Sequence, residues 1–180
     1  KEEVIETSKF LKNKGAIFYF LHCQSSYPAS LSDINLAYMD TLKEFSRGGF
    51  VGYSSHDLGK NICIAAVARG AKIIEKHFTL DRTLKGVDHR VSLLPNEFLE
   101  MSNSIKEIEL AMGRSDRRIL SQGELINRAT LSKSIFTKNN LKKGSLISKN
   151  DLVIRSPGTG LQPNKIHNLV GKKVIRDFSA

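Results

Sequence analysis

The chain has 180 residues, 40% hydrophobic and 26% charged, a globular balance that excludes the disordered and fibrous classes. Its formal net charge of +10 comes from 28 basic against 18 acidic residues. The basic residues are scattered, with "NNLKKG" and "LVGKKVIRDF" the densest runs, so no basic stripe argues for nucleic acid, whereas an anionic small molecule would use the same potential.

In chain order, residues 2–13 suit a helix, with Val4, Ile5 and Leu11 on a partial apolar face and Gly15 as a natural stop. "AIFYFLHC" (16–23) is a continuous apolar run, which predicts a strand buried on both faces. After the loop "QSSYPAS", Ser32 is expected to cap a helix carrying Leu36, Met39, Leu42 and Phe45 and ending near Gly48 and Gly49. "FVGYSS" is the second expected strand. A helix from about Lys60 to Arg69 follows, with Ile62, Ala66 and Val67 inward and Gly70 as its stop, and then "AKIIEKHF" as the third strand. The loop "DRTLKGVDHRVSL" leads to Pro95 in the first turn of another helix, where Phe98, Met101, Ile105, Ile108 and Met112 recur at intervals of 3, 4, 3 and 4 up to Gly113. That stripe is packing, not a ligand box.

Strand alternating with helix is the grammar of a parallel sheet, but three strands are too few for a closed barrel or a doubly covered sheet. The chain also opens without methionine and already inside a helical pattern, as expected of a piece of a longer protein. Beyond Gly113, "RSDRRILSQGELINRAT" is polar and suits a linker. The short β-like runs "SIFTK" and "LVIRS" among frequent turn residues then predict a small, mostly β appendage of about 55 residues, marginal alone. No apolar run approaches the roughly 20 residues that cross a bilayer, and no basic-then-apolar leader is visible, so a cytoplasmic location without a membrane partner is expected. Cys23 and Cys63 lack CxxC spacing and read as small core residues.

Two successive strands end in an imidazole, His56 and His77, which lie 21 residues apart. One strand–helix unit of that length places them on adjacent strand ends, where ligands of parallel sheets collect, and His22 falls near such an end too. A divalent ion at roughly 2.1 Å from each nitrogen could bridge His56 and His77, leaving positions open for water and substrate. From spacing alone, two satisfied core histidines remain the stronger account. By alternation Glu75 shares the face of His77, and Ser54 that of His56 and could offer a hydroxyl to a phosphate. Lys76 is the candidate partner of Glu75 in a structural ion pair. Asp57, just beyond its strand end, is expected to point away. Asp88 and His89 read as part of a solvated turn.

The motifs "LHCQSSYP", "NLAYMDTL", "VGYSSHDLG", "IAAVARGAKIIEKHFTLDR" and "GVDHRVSL" resemble the carboxyl-terminal half of the sialic acid synthases, including the legionaminic and pseudaminic acid synthases. The tail from "KSIFTKNNLKKG" to "GKKVIRDF" is similar to their antifreeze-like (SAF/β-clip) domain, so the resemblance runs from about residue 16 to the end. It implies an α/β fold, the carboxyl-terminal part (about strands 6–8) of a (β/α)8 TIM barrel, over residues 1–114. A linker at 115–125 and a SAF domain at 126–180 follow.

The activity implied is a metal-dependent condensation of phosphoenolpyruvate with an N-acetylated hexose, such as N-acetylmannosamine, to a nonulosonic acid, with release of phosphate. The resemblance maps His56 and His77 onto ligands of a divalent ion, most often Mn2+, with Mg2+ or Co2+ also used. Ser54 maps onto a phosphate contact, Tyr27 and Asp88 onto sugar contacts, and Glu75 onto the acidic residue beside the metal. Ser25 stands where some members carry asparagine or threonine near the phosphate. Lysines that hold phosphoenolpyruvate belong to the absent half, so this segment alone is expected to be inactive. A domain-swapped homodimer is implied, in which an arginine just before the "PGTG"-type turn reaches the partner's site. Here Ser156 occupies that place and Arg155 lies one position earlier, a shift that turns a strand side chain to the opposite face unless a bulge before Pro157 restores it. The alternative from another class is a noncatalytic sugar-binding or scaffold homologue, which would lack tight metal binding.

Overall fold

Three short runs pair into one parallel sheet in the computed structural model, which describes residues 1–180 as two units, Lys1–Arg114 and Ser115–Ala180. In the first unit, β1 (Phe20–Cys23), β2 (Val51–Ser55) and β3 (Ala71–Lys76) lie side by side in sequence order, all parallel. Strand β1 is half the expected length: residues 16–19 are unpaired, and Ile17 is 70% exposed. The run borders only β2, and an edge strand has no second neighbour to extend or cover it.

Helix α1 (Glu2–Asn13) begins with two acidic residues that suit its positive N-terminal end, and Gly15, at φ +70°, stops it. The helix expected from Ser32 is broken. Two 3-10 turns, Leu31–Asp33 and Leu36–Tyr38, precede a shorter α2 (Met39–Phe45). Asn35 between them sits at φ 48°, a left-handed conformation that a right-handed helix cannot continue through. Ser32 lies inside the first turn and donates to the Asp33 carboxylate instead of capping. Helix α3 (Asn61–Ala68) connects β2 to β3, and Gly70, at φ +100°, closes it.

The core lies between the sheet and the helices: Met39 and Leu42 from α2, Val51 and Tyr53 from β2, Cys63 and Ala66 from α3, and Met101 from α5 (Pro95–Met112). Cys63 is the expected core thiol, but Cys23 is exposed, because alternation at the end of β1 buries His22 and turns Cys23 outward. The start of α5 is set by Pro95 in its first turn and by the Glu97 carboxylate, which accepts from the Leu94 N–H at 2.8 Å. Of its apolar stripe, Met101 is buried and Ile105 packs on the core, whereas Phe98 and Met112 are exposed. Inside the expected loop, Val87–Val91 forms a short helix, α4, begun after Gly86 at φ 143°.

The second unit opens with helix α6 (Gln122–Leu131), which takes up part of the expected linker. Its start is a reciprocal cap: the Glu124 N–H donates to Ser121 Oγ at 3.3 Å, and the Ser121 N–H donates to the Glu124 carboxylate at 2.8 Å. Strands β4 (Ser134–Thr137) and β5 (Leu152–Arg155) then pair antiparallel, and single bridges join Leu141 to Phe178 and Leu146 to Lys173. The "PGTG" turn packs on the end of α6, where the Gly158 N–H donates to the Ala129 carbonyl at 2.9 Å. A Cβ at Gly158 would lie 2.4 Å from the Arg128 carbonyl oxygen and 2.6 Å from Ser132 Cβ. Gly158→Ala is therefore expected to destabilise this unit by about 1–3 kcal/mol, the usual cost of overpacking. Urea denaturation checks it, and an unchanged midpoint would contradict the contact. No helix of the chain is long and apolar enough to cross a membrane.

Candidate active site at the strand ends

The register of β2 and β3 pairs Ser54 with Glu75 and Ser55 with Lys76. Alternation then sends Ser54, His56, Glu75 and His77 to one side and Tyr53, Ser55, Asp57 and Lys76 to the other, the side of the helices. The structure brings the two imidazoles together, with ring centroids 5.2 Å apart. The loop after β1 folds over them: the Ala29 N–H donates to the His56 carbonyl at 3.0 Å, and the Tyr27 ring stacks on His56 at 4.1 Å. Tyr27 also meets the His77 ring edge-on at 5.7 Å.

His56 has a defined proton arrangement. Its Nδ1 lies 2.9 Å from the Gln24 carbonyl oxygen, which can only accept, so Nδ1 carries the proton. The lone pair on Nε2 is thus directed outward, where the Tyr27 hydroxyl donates to it at 3.0 Å. A backbone carbonyl on one ring nitrogen is the usual way a protein orients the other nitrogen for a ligand. Burial pushes the Tyr27 phenol above its ordinary pKa, and Asp88, Cys23 and Glu75 push it the same way, so it stays protonated and donating. Cys23 Sγ lies 3.8 Å from His56 Nδ1.

Glu75 is exposed and accepts from the Ser54 hydroxyl at 3.2 Å. It makes no ion pair with Lys76, because the pleat puts Lys76 on the opposite face. There Lys76 Nζ donates to Ser55 Oγ at 2.9 Å and to the Asp57 backbone carbonyl. Burial holds the Lys76 ammonium below its ordinary pKa, with the Asp57 charge opposing that shift. Asp57 does point away from the imidazoles; its Oδ1 accepts from Tyr53 and Ser55, both at 2.7 Å.

Asp88 lies in the first turn of α4, close enough to Tyr27 for its charge to act on the phenol, and its carbonyl accepts from the Ser92 hydroxyl at 2.7 Å. Ser25 is exposed and lines a hollow of about 580 Å3 with His22, Gln24, Asp33 and Asn35. His22, the third histidine near a strand end, is a core residue: it is buried between Tyr38 and Tyr53, and its Nε2 is 2.5 Å from the Ile34 carbonyl. In the second unit the β4–β5 register is regular, with Ser134 opposite Arg155 and no bulge before Pro157. The Arg155 guanidinium lies 4.8 Å over the Phe136 ring. Ser156 turns the other way and donates to the Leu131 carbonyl at 3.0 Å.

No third His, Cys, Asp or Glu joins His56 and His77 into a group of three. Two imidazoles side by side are chemically suited to a divalent ion whose other positions would be filled by oxygen atoms of water or substrate.

Residues 1–117 match the NeuB family, and residues 132–180 match the SAF domain. The chain belongs to the NeuB family. This NeuB-family chain is 44% identical, over 89% of its length and 44% of the relative's, to N,N'-diacetyllegionaminic acid synthase of Legionella pneumophila. It is 32% identical, over 99% of its length and 51% of the relative's, to pseudaminic acid synthase of Campylobacter jejuni. A solved N-acetylneuraminic acid (sialic acid) synthetase from Leptospira borgpetersenii, in complex with citrate, superposes with a TM-score of 0.61 at 39% identity over 68% of this chain and 43% of that one. The chain thus spans about half the length of the relatives it matches. Sequence reasoning missed the Gln24 carbonyl that sets the His56 tautomer and the buried set around Lys76. A backbone acceptor leaves no side-chain signal, and the partners of Lys76 lie 19 and 21 residues away.

Proposed function

We propose that this chain supplies the carboxyl-terminal part of a TIM barrel and the SAF domain of a nonulosonic acid synthase, which condenses phosphoenolpyruvate with an N-acetylated hexose and releases phosphate. The observation that carries this reading is the packing of His56, His77 and Tyr27 at the ends of adjacent parallel strands in a NeuB-family chain. Three parallel strands in unbroken sequence order also suit a barrel segment.

His56 and His77 would hold the divalent ion, with Mn2+ the favoured candidate. Bound there, it would supply Lewis acidity toward the sugar's carbonyl oxygen. The other steps belong to the chain's own groups. The Gln24 carbonyl keeps the His56 proton on Nδ1, so its Nε2 lone pair would be free for the ion once the Tyr27 hydroxyl turns from it to the sugar. Ser54 would turn its hydroxyl from Glu75 to the phosphate of phosphoenolpyruvate, freeing the Glu75 carboxylate to orient water or take its proton. Ser25, at the end of β1, would offer a second hydroxyl to the phosphate. Tyr27, kept protonated, and Asp88, near enough for its charge to act on that phenol, would hold sugar hydroxyls.

The test is a completed protein, made by fusing this chain to the part of the Legionella synthase that it does not cover. Phosphate release is measured with phosphoenolpyruvate and a small panel of N-acetylated hexoses, with and without a chelator. No release with any sugar, while the intact Legionella enzyme works, would refute the proposal. In the same assay Asp88→Ala is expected to raise the sugar KM by about 10-fold or more, as losing a hydrogen bond from a charged group costs about 1.5–3 kcal/mol. An unchanged sugar KM and kcat would remove Asp88 from the site.

A further inference from the structure

We infer that Lys76, Ser55 and Asp57 form a clamp beneath the strand ends that holds His56 and His77 side by side. The inference rests on the reading of those two histidines as an acting pair. The ladder between β2 and β3 ends at Ser55 and Lys76. Beyond that pair no backbone pairing joins the two strands, yet His56 and His77 are the residues that follow. The side chains continue what the ladder stops. Lys76 Nζ reaches across to Ser55 Oγ at 2.9 Å and on to the backbone carbonyl of Asp57. Asp57 is the residue after His56, and Lys76 is the residue before His77, so the tie is anchored one position from each imidazole.

The clamp is in turn fixed to the core. Asp57 Oδ1 accepts from Ser55 Oγ and from the Tyr53 hydroxyl, both at 2.7 Å, and Tyr53 is 1% exposed within the hydrophobic cluster. Folding alone does not account for this arrangement. Asp57 is fully buried, and its Oδ2 has no hydrogen-bond partner. A buried carboxylate satisfied at only one oxygen is costly, and an apolar residue of similar volume commonly serves stability as well or better. What an apolar residue would not do is fix the Ser55 hydroxyl, through which Lys76 is tied across the strand ends. All three residues face the helices, not the imidazoles, so they are positioning residues.

The experiment uses the 180-residue chain. Metal-free, it is examined by NMR for the cross-relaxation peak between the His56 and His77 ring protons, and its Mn2+ dissociation constant is then measured by titration. The unaltered chain is expected to show the peak. Lys76→Met is expected to stay folded by its amide spectrum, to lose the peak, and to bind Mn2+ roughly 10-fold more weakly, the effect usual for a partner behind a metal ligand. Asp57→Asn keeps an oxygen for Tyr53 and Ser55, so it should retain both properties, whereas Asp57→Leu should lose them. If Lys76→Met fails to fold, Ser55→Ala removes the central hydroxyl without adding volume and should lose the peak in its place. An undiminished peak in the folded Lys76→Met or Ser55→Ala variant, its absence from the unaltered chain, or its loss in Asp57→Asn would overturn the clamp. If the peaks behave as expected but the unaltered chain binds no Mn2+, the metal reading fails and the clamp stands.

Discussion

In the completed protein, His56→Ala and His77→Ala are each expected to lower turnover by more than about 100-fold, beyond the 10- to 100-fold typical of residues that only support a metal ligand. Each removes one of the two imidazoles paired past the ends of β2 and β3, and no neighbouring His, Cys, Asp or Glu completes a set that could take over. The fold should survive. His77 lies half-buried past the end of β3, and its loss leaves the backbone bond from the Leu93 N–H to its carbonyl in place at 2.8 Å. His56 is buried and its removal strands the Gln24 carbonyl and the Tyr27 hydroxyl, so a stability loss of about 1–3 kcal/mol is expected there. Thermal melting separates the two effects: a shifted but cooperative transition with turnover lost marks a site residue. His22→Ala is the contrasting variant, expected to cost stability through its buried bond to Ile34. Near wild-type turnover of either strand-end variant in chelator-treated buffer would remove the metal from the proposal.

The second large effect concerns Arg155. Its guanidinium rests 4.8 Å over the Phe136 ring at the end of β5, while Ser156 is bound to the end of α6. Of the two residues before the "PGTG" turn, Arg155 is therefore the one with a displayed cation, even though no bulge realigns it. We expect it to serve the sugar site of a partner subunit. Arg155→Ala in the completed protein should then lower activity by at least about 10-fold, the scale of a lost charged hydrogen bond. A mixed dimer gives the decisive comparison. One subunit carries His77→Ala and the other Arg155→Ala. Acting across the interface, intact Arg155 of the first would meet intact His77 of the second, so one of the two sites works although both parent homodimers are impaired. Full activity in the Arg155→Ala homodimer would end the idea.

The chain's local pattern already carried much of this protein. The alternation of apolar runs with helical spacing specified a parallel α/β sheet, because period 2 and period 3.6 are set by backbone geometry and need no distant partner. The "SQGE" stretch held a capping signature for α6 even though its composition suggested a linker. The placing of His56 and His77 at adjacent strand ends followed from one strand–helix unit of spacing, and the family motifs were legible in order along the chain.

Only the tertiary structure decided which polar side chains meet. His22, His56 and His77 look alike in sequence, yet the Ile34 carbonyl and two tyrosine rings make His22 a core residue, while the Gln24 carbonyl and Tyr27 orient His56 outward. Lys76 stands next to Glu75 in the chain and bonds across the sheet to Ser55 and Asp57 instead, since neighbours in a strand face opposite sides. Asn35 broke a helix that periodicity alone would have continued. Period and spacing are local properties and survive in a one-dimensional string; hydrogen-bond partners lying some 20 to 35 residues apart do not, because a register of adjacent strands, not any local preference, brings them within reach.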